Sequence, residues 1–180
     1  TLWVDRATVN NNLFLNNAIL QGTNGFGEVL NGNIALTGTV EFKVGSYMNV
    51  NGVVSGAGAL LKTDSGTLTL NGANTYSGLT TIDAGRVVVS NDSGLGSTTA
   101  GTVVASGAIL DLHNVAVGAE HVTLNGGTLT DVTSSLSGDI TLGANSILSA
   151  SNVGDTLTLS GVISGAFGIT KAGDGEVVLS

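Results

Sequence analysis

The segment NGVVSGAGALLKTDSGTLTLNG (Asn51–Gly72) returns as SGVISGAFGITKAGDGEVVLS (Ser160–Ser180) at a constant offset of about 109 residues. Gly52, Gly56, Lys62, Gly66, Leu68 and Leu70 fall on Gly161, Gly165, Lys171, Gly175, Val177 and Leu179. Looser matches lie upstream, with LNGNIAL (30–36) on LSGDITL (136–142) and LFLNNAIL (13–20) on VTLNGGTL (122–129). Self-similarity at a fixed period marks a repeat architecture, in which each unit buries its apolar face against its neighbour. The expected organisation is a single β-helical body over 1–180 with an internal repeat of about 109 residues. Residues 1–109 form one copy and 110–180 an incomplete second. The second copy stops within its motif at Ser180, so the chain is expected to be a fragment of a longer protein.

A finer grain runs inside the long repeat. Short runs such as Leu68–Leu70, Arg86–Val89, Ile109–Leu112, Val122–Leu124 and Leu157–Leu159 are bounded by Gly, Asn, Asp or Ser. These residues supply turn conformations, and the spacing leaves no room for helices between the runs. GTLTL and DTLTL alternate with the period of two that gives a strand one buried and one wet face. A sandwich of hairpins is the other all-β solution, but it favours longer strands and an aromatic-rich core. Aromatics are 4% of this chain, and Val, Ile, Leu, Ala and Thr dominate. The expected fold is therefore all-β, a right-handed parallel β-helix of about 20 residues per coil.

Composition excludes several function classes. No Cys is present, so neither a disulfide framework nor a thiolate metal site can form. Net charge is −8, and Arg6, Lys43, Lys62, Arg86 and Lys171 are scattered, which leaves no phosphate-binding stripe. Nucleic acid is not an expected partner. No apolar run approaches the length of a membrane-spanning helix.

Gly56 to Val89, GAGALLKTDSGTLTLNGANTYSGLTTIDAGRVVV, resembles the autotransporter-associated β-strand repeat, also called the passenger-associated transport repeat. The matching positions are Gly56, Gly58, Leu60, Lys62, Gly66, Leu68, Leu70, Gly72, Asn74, Thr75, Tyr76, Gly78, Thr80 and Gly85. Asp64 departs from the pattern, standing where Gly is common. The resemblance implies a segment of the passenger of a large secreted or surface-exposed bacterial protein. Such passengers cross the outer membrane with a C-terminal β-barrel, which this sequence lacks. The repeat is associated with passenger folding and export, and it implies no enzymatic activity and no cofactor. Some proteins that carry it are adhesins, which leaves a host-surface or matrix ligand open as a partner.

Other candidate sites are weaker. A glycosidase needs two carboxyls held at a defined separation, whereas Asp83, Asp92, Asp111 and Asp131 are single and read as turn or strand-edge residues. His113, Glu120 and His121 are the one place where two imidazoles approach a carboxylate in sequence, without a further ligand. Trp3, Phe14, Phe26, Phe42, Tyr47 and Phe167 are too scattered for a sugar-stacking row, and Trp3 is expected to cover a coil end. Lys62 is expected to point outward and pair with Asp64. Leu68 and Leu70 are expected inside, Asn74 to bond backbone across a bend, and Tyr76 to cover the corner. Unpaired strand edges at coil ends lead to an expectation of end-to-end self-association.

Overall fold

The computed structural model describes residues 1–22 and 27–180. Every strand pairing in it is parallel, and successive strands of a sheet come from successive coils. One nine-stranded sheet runs from Leu2–Val4 to Ile163–Ser164, and a second from Thr8–Val9 to Ile169–Ala172. The chain passes from a third face to the first sheet, then to the second, and back again. This is a right-handed parallel β-solenoid of about nine turns.

Short strands suffice because each strand completes its hydrogen bonds with the coils before and after it. In Thr67–Leu70, Leu68 and Leu70 are enclosed while Thr67 and Thr69 face outward. Parallel register then stacks like on like: Leu30, Val50, Leu70, Val89 and Leu112 form one interior column. Each such Val or Leu contributes roughly 1.5–3 kcal/mol of apolar burial. The column is narrow, which explains why aliphatic residues fill it and why Phe42 and Tyr76 are the only aromatics among the buried residues described.

Corners are stabilised by side-chain amides. Asn31 Nδ2 donates to Asn10 Oδ1, Asn51 Nδ2 to Asn31 Oδ1, and Asn71 Nδ2 to Asn51 Oδ1, each at 2.8 Å. Coils at this edge are thus 20 or 21 residues long.

The third face is not continuous. Its N-terminal part is the sheet of Leu13–Asn16, Ile34–Thr37 and Val54–Gly56. Its C-terminal part is the sheet of Ala116–Val117, Ser134–Leu136, Thr156–Leu159 and Glu176–Leu179. Between them, residues 71–79 and 90–101 contain no strand.

The two copies of the Gly–Lys motif occupy different faces. Val54–Gly56, Ala59–Thr63 and Thr67–Leu70 lie on the third, first and second faces. Ile163–Ser164, Ile169–Ala172 and Glu176–Leu179 lie on the first, second and third. The later copy is rotated by one face, because an offset of about 109 residues exceeds five coils by one side of the triangle.

Candidate functional site

The break in the third face is where Asn74 and Tyr76 stand. Without a strand here, backbone groups of the flanking coils need other partners. Backbone bonds supply some of them: Thr75 N donates to Val54 O at 2.8 Å and Ser77 N to Gly56 O at 2.9 Å. The Asn74 side chain completes the set. Its Oδ1 accepts from Val54 N at 2.8 Å in the coil before, and its Nδ2 donates to Gly94 O at 2.7 Å in the coil after. Asn74 is 2% exposed, so both bonds are protected from water. A side-chain amide can accept in one direction through its oxygen and donate in the other through its nitrogen.

Tyr76 is fully enclosed and fills the volume beneath this bridge. Its hydroxyl shares a 2.7 Å hydrogen bond with Thr80 Oγ1. Burial pushes the phenol well above its ordinary range, a shift opposed by the Thr80 bond and reinforced by the Glu120 carboxylate. Thr80 stands in register with Thr102, whose hydroxyl donates to Glu120 Oε1 at 2.7 Å. Two buried hydrogen-bonded pairs, Tyr76–Thr80 and Thr102–Glu120, therefore lie in adjacent coils. Thr75, by contrast, is exposed.

Lys62 corrects the expectation of an outward lysine paired with Asp64. It continues the inward alternation of Leu60 and is fully buried, between Phe42 and Ile82 in adjacent coils. Its ammonium turns back to the corner and donates to Thr63 O and Asp64 O at 2.7 Å and to Ala84 O at 3.1 Å. The partners are main-chain carbonyls, the last from the following coil. Burial pushes the Lys62 amine down to about 8, with the Asp64 charge opposing.

The remaining motif positions are interior or at corners. Leu60, Leu68 and Leu70 are enclosed. A Cβ at Gly58, Gly66, Gly72 or Gly78 would meet the carbonyl oxygen of Gly38, Ser46, Gly52 or Gly58 in the preceding coil. Gly85 has φ +73°.

Beside the break, the loop after Asn91 forms a ledge over the C-terminal part of the third face. Asp92 Oδ1 accepts from Ala116 N at 2.8 Å. The groove below has a volume of about 520 Å³ and is lined by Asp92, Asn114, Ala116, Thr133, Ser135, Thr156 and neighbours. Small side chains line it, and apolar atoms make up most of its exposed surface.

The weaker candidates do not assemble. Asp83 is exposed at a corner, Asp92 sits on the loop, Asp111 pairs with Arg86 at 3.0 Å, and Asp131 faces inward. Burial raises the Asp111 carboxyl, opposed by Arg86. His113 and His121 are exposed whereas Glu120 is buried. Among the described residues no group of three His, Cys, Asp or Glu could hold a metal ion. Trp3, Phe14, Tyr47 and Phe167 are exposed on separate elements, Phe42 is interior, and Phe26 lies outside the described residues. Sequence reasoning named Glu120 beside two imidazoles and Asp131 as a turn or strand-edge residue but missed that both are interior; the signal for Asp131 was its alternation with Leu129.

Residues 60–89 match the passenger-associated-transport-repeat family. Over 123 residues, or 66% of this chain, the sequence is 38% identical to the adhesin BmaC autotransporter of Brucella suis biovar 1 (strain 1330). The chain spans only 3% of the length of that relative. No solved structure matches. The chain is thus a structural β-solenoid segment of autotransporter type, and passenger domains of this type are secreted to the bacterial cell surface through the outer membrane.

Proposed function

We propose that this segment is a non-enzymatic stalk module that supports passenger folding and export by presenting each coil as a template for the next. The observation that carries this reading is the bridge at Asn74, which holds the coils before and after it where the third sheet is interrupted. A coil-by-coil solenoid suits export, because each unit is stabilised by its neighbour and needs no distant partner. The chain has neither Cys nor Pro, so nothing cross-links prematurely and every residue keeps its ladder donor. The test places Asn74→Ala and Tyr76→Ala in the parent protein and measures surface display. Reduced display with unchanged cell binding per displayed molecule supports the stalk; normal display with lost binding makes the corner a binding site instead.

A second reading is an adhesive module for a host or matrix glycan or protein. The similarity to a protein named as an adhesin and the groove beside Asp92 favour it. Glycan and matrix-protein arrays probed with the segment, and with Thr133→Arg and Thr158→Arg in the groove, separate the readings. Under both, the isolated segment associates end to end through the outer edges of its terminal strands, and a strictly monomeric species across a concentration series would speak against that.

A further inference from the structure

We propose that two acids enclosed in the second half of the rod, Glu120 and Asp131, form a proton-dependent device that tightens this half as the medium becomes acidic. Asp131 occupies the interior column, in the register that Leu112 and Ala150 hold in adjacent coils. It is 1% exposed. Its Oδ2 accepts from Ser134 N at 2.8 Å, while its Oδ1 is buried without a partner. The charged groups that face it are the Asp155 and Asp111 carboxylates, both of its own sign. The one guanidinium nearby, Arg86, is engaged by Asp111.

Glu120 repeats the arrangement at another corner. It is 2% exposed, its Oε1 accepts from Thr102 Oγ1, and its Oε2 has no partner. The titratable group that faces it is the Tyr76 phenol, which supplies no positive charge. No ammonium or guanidinium bonds either acid among the described residues. An uncompensated carboxylate in such surroundings is far costlier than the neutral acid, whose proton removes the charge.

Burial pushes both carboxyls above their ordinary values of 4.5 and 3.8. A raised carboxyl means that the folded chain holds a proton that the unfolded chain has released. The stabilisation is complete below the ordinary values and is lost as pH rises through the raised ones. The acids thus strengthen the rod in acid and weaken it toward neutrality. The Glu120 charge also acts on the Tyr76 phenol at the signature corner, and its protonation removes that effect.

The test is thermal unfolding of the 180-residue chain between pH 4.5 and 8, with Glu120→Gln and Asp131→Asn singly and together. The expected result is a wild-type melting temperature that falls on the order of 5 °C over that range. In the double variant at least half of the slope disappears. A wild-type profile without slope, or a double variant that keeps it, overturns the proposal. Carboxyl carbon-13 shifts of the wild-type chain provide an arm independent of any variant. Midpoints for Glu120 and Asp131 well above about 4 support the proposal, and ordinary midpoints overturn it.

Discussion

The two copies of the Gly–Lys motif share a sequence pattern and a backbone geometry but differ in where they stand and in what their lysines do. Gly56 and Gly165 both adopt left-handed backbone, with φ +101° and +115°. A Cβ at either would lie 2.2 or 2.3 Å from a carbonyl of the preceding coil, that of Leu36 or Leu142. Yet the first copy begins on the third face and the second on the first. Lys62 is enclosed and reaches the following coil, whereas Lys171 is exposed in the last coil and bonds Gly173 O and Gly175 O, both in its own corner. The motif therefore specifies a kind of corner, independent of the face on which it falls. In the first copy the lysine is an interior strut that ties its corner to the following coil.

The largest expected effect comes from the glycines that the copies share. Gly56→Ala should cost about 3 kcal/mol through strain and the clash with Leu36 O, and it should be felt throughout the middle of the rod. Gly165→Ala meets the same clash, but hydrogen exchange should reveal loosening confined to the last coil. Equal, global effects would break the distinction between a middle and a terminal corner.

The lysines sharpen the contrast. Lys62→Ala should destabilise by about 3 kcal/mol, because it leaves a cavity and carbonyls without donors, as measured by denaturant unfolding. Lys171→Ala should change stability by less than about 0.5 kcal/mol. The pH response follows the same divide. A lysine lowered to about 8 in the fold, against 10.5 ordinarily, gives up its proton before the unfolded chain does. Stability should therefore rise from pH 8 toward 10, and Lys62→Met should abolish the rise whereas Lys171→Met leaves it intact. The smallest effect concerns Asp64, which has φ +61° where its counterpart Gly173 has +75°. Asp64→Gly should stabilise by up to about 1 kcal/mol on unfolding, since glycine carries no penalty in this region.

Much of this was legible in the sequence. The alternation of Leu68 and Leu70 gave their inward direction, and the recurrence of short strands between turn residues gave the solenoid. Lys62 was misread because its charge argued for the surface while its alternation with Leu60 argued for the interior. The alternation prevailed once carbonyls from two coils converged on the ammonium. The rotation of the second motif by one face was invisible, because an offset between copies does not state how many residues close each coil. Asp131 was read as a turn or strand-edge residue although its alternation with Leu129 pointed inward, and Glu120 lies between two strands, where no alternation gives a direction.

Amide hydrogen exchange at Val54 tests the central claim, that the signature corner is a joint between coils. In the wild-type chain the Val54 N–H donates to Asn74 Oδ1 and should be strongly protected. Asn74→Ala should lower that protection by at least tenfold, while Leu68 and Leu70 in the intact second sheet exchange as before. Unchanged protection at Val54 would contradict the account.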